Sequence, residues 1–119
     1  MIHHVTIEVS DIDRSSSFYD SLFAALGWRR HTDSDERIGW GIARPWFFVN
    51  SSADPVTPGG EQVCFSASGM AAVKGAWESG ISAGGKDDGK PDVREEYGPN
   101  YYSAFLRDPD GYRIEIVRE

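Results

Sequence analysis

The stretch Ile2-His3-His4-Val5-Thr6-Ile7-Glu8-Val9-Ser10-Asp11 and its later echo, Glu61-Gln62-Val63-Cys64-Phe65-Ser66-Ala67-Ser68, decide the fold. In the first, Val5, Ile7 and Val9 alternate with His4, Thr6 and Glu8, the period of a strand with one apolar and one polar face. Asp11 can then cap a helix in which Phe18, Leu22, Ala25 and Leu26 recur at helical spacing, and Gly27 ends it. The second begins the same order again, Gln62 lying 58 positions after His4. Ser68 is the expected cap there, Met70, Val73, Ala76 and Trp77 the apolar stripe, and Gly80 the stop.

Working outward, residues 28–31, 37–43 and 46–50 read as three short strands, separated by the polar run Thr32-Asp33-Ser34-Asp35-Glu36 and by Arg44-Pro45. Residues 51–60 hold Pro55, Pro58, Gly59 and Gly60 and suit a connection between two units. In the second unit, residues 83–99 predict one short strand and a surface loop. Residues 101–107 and 112–118 form a hairpin closed by Asp108-Pro109-Asp110-Gly111, where Pro presets φ and Gly accepts a positive one.

The order is therefore βαβββ, linker, βαβββ: one α+β domain over residues 1–119, with module 1 at about 1–50, the linker at 51–60 and module 2 at about 61–119. Each module alone leaves a sheet face uncovered. Pairing them into a curved mixed sheet with helices outside buries the apolar faces and leaves a cupped pocket.

The bulk composition fits this size class. A chain of 119 residues, 39% hydrophobic and with four Trp, can bury a core without staples. A formal charge of −7 argues against nucleic acid as a partner. One cysteine, Cys64, permits neither an internal disulfide nor a thiolate metal cluster, and its expected place is the core. The start of the chain runs straight into a strand without a leader-like apolar stretch, and no segment has membrane-spanning length. A cytoplasmic protein that contacts no membrane is expected.

Chelation of a divalent ion needs lone pairs converging from different strands, supplied by imidazole nitrogens and carboxylate oxygens. His4 faces away from Val5 and Ile7, and Glu115 faces away from Ile114 and Ile116. Trp40, Tyr97, Asn100 and Tyr102 are the expected substrate-binding residues lining the cavity, although strand parity leaves open which of Tyr101 and Tyr102 faces in. Glu8 shares the face of His4, and a salt bridge to Arg113 is the simplest role for it.

Ile2-His3-His4-Val5 running to Ser10-Asp11, then Ser17-Phe18-Tyr19, then Asp108-Pro109-Asp110-Gly111 with Ile114-Glu115, resemble the vicinal oxygen chelate superfamily of glyoxalases, bleomycin-resistance proteins and extradiol dioxygenases. The resemblance implies metal ligands at His4 and Glu115, with Glu115 also catalytic, and a third ligand at the place held by Gln62. A further ligand position falls in Trp46-Phe47-Phe48-Val49, which is apolar. Two functions follow. One is a glyoxalase-like lyase or isomerase, in which a divalent ion (Zn, Ni, Mn or Fe, which the residues do not distinguish) chelates vicinal oxygens and stabilises an enolate. The other, alternative function is a metal-free protein that sequesters an aromatic or cationic small molecule. The resemblance also implies a homodimer.

Overall fold

In the computed structural model, which describes residues 1–119, the apolar alternation of the first strand is used as the sequence predicts. β1 (Val5–Val9) turns Val9 fully into the core, with Val5 and Ile7 packed against it, and leaves Thr6 and Glu8 exposed. Asp11 caps α1 (Ile12–Ala25) by accepting from the Arg14 backbone N–H at 3.1 Å. β2 (Arg29–Asp33), β3 (Arg37–Gly41) and β4 (Pro45–Ser51) complete the first module. The second runs β5 (Gln62–Ser66), α2 (Met70–Ser82), β6 (Lys86–Val93), a single 3-10 turn at Glu95–Tyr97, β7 (Tyr102–Arg107) and β8 (Arg113–Arg118). No helix is long and apolar enough to cross a membrane.

The two modules form two four-stranded mixed sheets of the same design, ordered β1-β4-β3-β2 and β5-β8-β7-β6. In each, the first strand pairs in parallel with the last, Thr6 opposite Phe48 in one and Cys64 opposite Glu115 in the other. A single core serves both. Phe23 of α1 meets Phe47 of the first sheet edge-to-face at 5.7 Å and Phe65 of the second at 5.0 Å, and Phe47 meets Phe65 at 5.3 Å. The apolar faces of both sheets thus turn toward one interior, and the polar faces turn away from it.

Two local expectations are corrected. Ser68 does not cap α2. Gly69 takes that place without a side-chain hydrogen bond. Gly80 does not end the helix but lies buried inside it, where an added Cβ would come within 2.6 Å of Leu106 and 3.3 Å of Phe18. Its smallness lets α2 approach α1 and β7, and the chain turns instead at Gly84, whose φ is +107°.

The 108–112 turn ties the modules together. Asp108, 3% exposed, accepts from the Tyr19 hydroxyl at 2.7 Å with one oxygen and from the backbone N–H groups of Asp110, Gly111 and Tyr112 with the other. Asp110 accepts from the Ser10 N–H at 3.1 Å and from Arg14 at 2.9 Å, while the Tyr112 hydroxyl donates to the Glu8 carbonyl at 2.8 Å. Burial pushes the Asp108 carboxyl above its ordinary range, and the Tyr19 and backbone donors pull against that rise.

Candidate functional site

Glu115 is placed by its neighbours. Ile114 and Ile116 are fully buried in the core, so strand alternation turns the carboxylate between them onto the outward face of the second sheet. Glu115 is nonetheless only 5% exposed, because neighbouring side chains cover it. The Tyr101 hydroxyl donates to one carboxylate oxygen at 2.7 Å and the Gln62 amide N–H to the other at 3.0 Å. The Gln62 carbonyl oxygen in turn accepts from Arg113 at 2.7 Å. Reversing that amide would set oxygen against carboxylate and N–H against guanidinium, so the network fixes its orientation.

The outcome is a chain of polar contacts, Arg113 to Gln62 to Glu115 to Tyr101, on one sheet face. Phe105 pairs directly with Glu115 across the strands, with the Arg113 guanidinium 4.1 Å and that of Arg94 5.0 Å from its ring centre. Cys64 lies beside Glu115 in the register and is exposed, not a core residue. Partial burial of its thiol and the Glu115 carboxylate push it up to about 12. Burial and Glu115 likewise raise the Tyr101 phenol. Both groups therefore hold their protons at neutral pH, and Glu115 is the acceptor in this cluster.

His4 stands elsewhere. It lies on the outward side of the first sheet, its ring edge-on to Phe48 at 5.4 Å and its Nδ1 2.8 Å from that of His3. It has no hydrogen bond to Gln62 or Glu115, and no three His, Cys, Asp or Glu side chains gather as a metal site within the chain. The cavities of a single chain lie away from these residues too: one opening of about 460 Å³ is lined by Glu36, Arg37 and Asn50–Ala53, and one of about 590 Å³ lies between the helices, lined by Ser21, Ala24, Glu78, Ser79, Ser82 and Ala83.

The expected lining residues divide. Trp40 is a core residue, 1% exposed, whose indole N–H donates to Asp20 at 2.8 Å. Burial alone would raise the Asp20 carboxyl, but hydrogen bonds from Arg30 and Trp40 outweigh it and hold the group below its ordinary range. Tyr102, 5% exposed, also packs in the core. Tyr97 is exposed and stacks edge-on to Tyr101 at 5.3 Å, and Asn100 is exposed with its backbone carbonyl held by Arg118. Glu8 forms no ion pair; Arg113 instead pairs with Asp88 at 3.0 Å. Of the pair Tyr101 and Tyr102, left open by strand parity, it is Tyr101 that joins the cluster, and the residues that the sequence did not disclose as part of it are Arg113, Arg94 and Phe105. The hairpin register held the signal, since pairing Phe105 with Glu115 places Tyr101 on the same face by alternation.

A family model for the Glyoxalase/Bleomycin resistance protein/Dioxygenase superfamily matches residues 1–116. The chain belongs to that superfamily. Among solved structures, this glyoxalase-superfamily domain is similar to a glyoxalase/bleomycin resistance protein from Albidiferax ferrireducens T118, with 28% identity over 98% of this chain and 97% of that one and a TM-score of 0.89. It shares the fold of the fosfomycin resistance protein FosX from Mesorhizobium loti, at 16% identity over 98% and 89% of the two chains and a TM-score of 0.71. It also shares that of a lactoylglutathione lyase from Agrobacterium tumefaciens, at 16% identity over 98% and 92% and a TM-score of 0.68. No curated protein matches the sequence significantly.

Proposed function

We propose that this glyoxalase-superfamily domain binds a small molecule without a resident divalent metal, using the Arg113–Gln62–Glu115–Tyr101 cluster as its polar contact surface. The orientation of Gln62 carries this reading. An amide can ligate a metal only through its carbonyl oxygen, and here that oxygen accepts from a guanidinium while the N–H side meets the carboxylate. A cation beside the third ligand position also opposes a second cation there. Within one chain, then, the donor set does not fit the metal that the fold family implies.

The chemistry left to the chain's own side chains is recognition and proton acceptance. Tyr101 and Arg113 can reorient to donate to ligand oxygens, Glu115 can then accept from a ligand hydroxyl in place of Tyr101, and the two guanidiniums that cover the buried Phe105 ring provide a flat floor. Cys64, held as the thiol, supplies no thiolate nucleophile at neutral pH. We place the protein in the cytoplasm, where a free thiol stays reduced.

A second reading is favoured by the state of His4, whose imidazole has only His3, Phe48 and the chain's outer surface about it. β1 and β5, the first strands of the modules, are each an edge strand of their sheet, beside an uncovered polar face. In a homodimer that joins these faces, His4 of one copy would meet Glu115 of the other, giving a metal-dependent lyase or isomerase of glyoxalase type. Elemental analysis of protein purified without chelator, with His4→Ala as control, separates the readings. The metal-free reading expects less than 0.1 equivalent of metal, as an order-of-magnitude ceiling, and chelator-insensitive ligand binding. One equivalent of metal that is lost in His4→Ala, with light scattering showing a dimer, overturns it.

A further inference from the structure

We infer that the ligand of this face carries an oxyanion, a carboxylate or phosphate class group, held by the guanidiniums of Arg94 and Arg113 that flank Phe105; the inference rests on the metal-free reading above. The chain as a whole is strongly acidic, with a formal charge of −7, yet positive charge is concentrated here. Arg94, Arg107 and Arg113 stand with only two carboxylates, Asp88 at 3.1 and 3.0 Å from Arg107 and Arg113 and Glu115 reached from Arg113 through Gln62, so one positive charge of the cluster is left uncompensated. Arg94 has no carboxylate partner at all. Its Nε donates to the Ser103 hydroxyl at 3.0 Å and its Nη2 to the Lys90 and Ser103 carbonyls, neutral groups that fix its position without cancelling its charge.

This fixation distinguishes Arg94 from an ordinary solvated arginine. Its plane is held against Phe105 and against two carbonyls, and Ser103, the residue beneath it, is fully buried. Gly89 makes the arrangement possible: its φ is +148°, and a Cβ there would stand 3.2 Å from Arg94 Nη2 and 3.1 Å from the Phe105 ring. A bulged strand without a side chain at that point leaves room for the guanidinium. A guanidinium that has already lost its rotamer freedom, with Nη1 still unengaged, binds an oxyanion at lower entropic cost than a mobile lysine.

Arg113 plays the complementary part. One of its nitrogens holds the Gln62 carbonyl and another holds Asp88, so it stands between the uncompensated charge and Glu115. A ligand anion laid over the two guanidiniums that cover the buried Phe105 ring would contact both, beside the covered Glu115. The same geometry disfavours a cation, which would meet two like charges before reaching the carboxylate, and so it reverses the cationic ligand that overall acidity suggests.

Calorimetric titration of the full chain in EDTA tests this with a matched pair of probes, benzoate and benzylammonium, and with inorganic phosphate as the arm that separates carboxylate from phosphate sources. The expected result is saturable binding of benzoate or phosphate, none of benzylammonium, and a loss of about tenfold or more in Arg94→Gln and in Arg113→Gln. Lys74→Gln on the exposed side of α2 removes the same charge elsewhere and should leave the affinity unchanged. Equal losses in Lys74→Gln and both arginine variants, or no saturable binding of either anion, overturn the assignment. Benzylammonium binding that persists in EDTA and weakens in Tyr101→Phe overturns the oxyanion class but spares the metal-free site. Anion binding that appears only on adding a divalent ion sinks both.

Discussion

Replacing Tyr19 by Phe isolates one hydroxyl in the contact that joins the modules. The ring is fully buried and packs against Phe18, Phe23, Trp40 and Phe47, and all of those contacts survive the substitution. What is lost is a 2.7 Å hydrogen bond to a carboxylate that is 3% exposed. A donor to a buried charged group contributes roughly 1.5–3 kcal/mol, and the abandoned oxygen has no solvent to turn to. The pH dependence has a definite sign. Burial raises the folded Asp108 carboxyl above its ordinary 3.8, so the stabilisation it provides is fully present below that value and is lost as pH rises through the folded value. Tyr19 holds that rise in check, so without the hydroxyl the loss on deprotonation is larger. Urea unfolding should show a lower midpoint with an unchanged slope in Tyr19→Phe, and the deficit should be larger at about pH 7 than at about pH 4. A deficit below ~0.5 kcal/mol at neutral pH, or one that does not grow between those conditions, would refute the claim that the bond serves an ionised carboxylate.

Three other substitutions test separate parts of the structure. The Ser15 hydroxyl is buried without a hydrogen-bond partner, so Ser15→Ala should stabilise the protein by about 1 kcal/mol in the same unfolding assay, through a better helix former and a removed orphan group. Gly80→Ala should cost about 1–3 kcal/mol despite its higher helix propensity, because the new methyl meets Leu106 and Phe18; a neutral or stabilising result would mean that the α1–α2 contact is slack. Cys64 should react slowly with iodoacetamide near neutral pH although it is exposed, and Glu115→Gln should speed alkylation by about tenfold or more by removing the neighbouring charge. An unchanged rate in Glu115→Gln would show that burial alone holds the proton.

The duplicated architecture was legible because its carriers are strong. Two strands with strict alternation, two helical stripes and a Pro-Gly turn leave little choice of order, and local patterning agreed with tertiary placement at each. Failures occurred where one residue type serves two purposes. Gly80 has the chemistry of a helix stop, but in the fold its lack of a side chain is used for close packing. Trp40 has the size of a cavity wall, yet the half-exposed Asp20 carboxylate gives its indole N–H a partner at the edge of the core. In β6 the run Asp87-Asp88-Gly89-Lys90 carries no periodicity because the strand breaks register on both sides of Gly89.

At the candidate site, Glu115 and Gln62 were readable as neighbours, since both are first- or last-strand residues of one module and those strands pair in parallel. Arg94 and Arg113 were not. Nothing in the letters around Arg94 reveals that a bulge and a missing side chain at Gly89 fold it back over Phe105. The separation of His4 from Glu115 was also hidden, because module architecture does not specify how two modules are docked.

The turn at Asp108–Tyr112 grips Glu8, Ser10, Arg14 and Tyr19, partners between 89 and 104 positions away along the chain. During synthesis, the corner between β1 and α1 therefore emerges 89 to 104 residues ahead of its clasp. Module 1 must wait, incompletely tied, until module 2 has also been made, so a truncation that removes residues 108–119 takes away a fastening of residues 8–19.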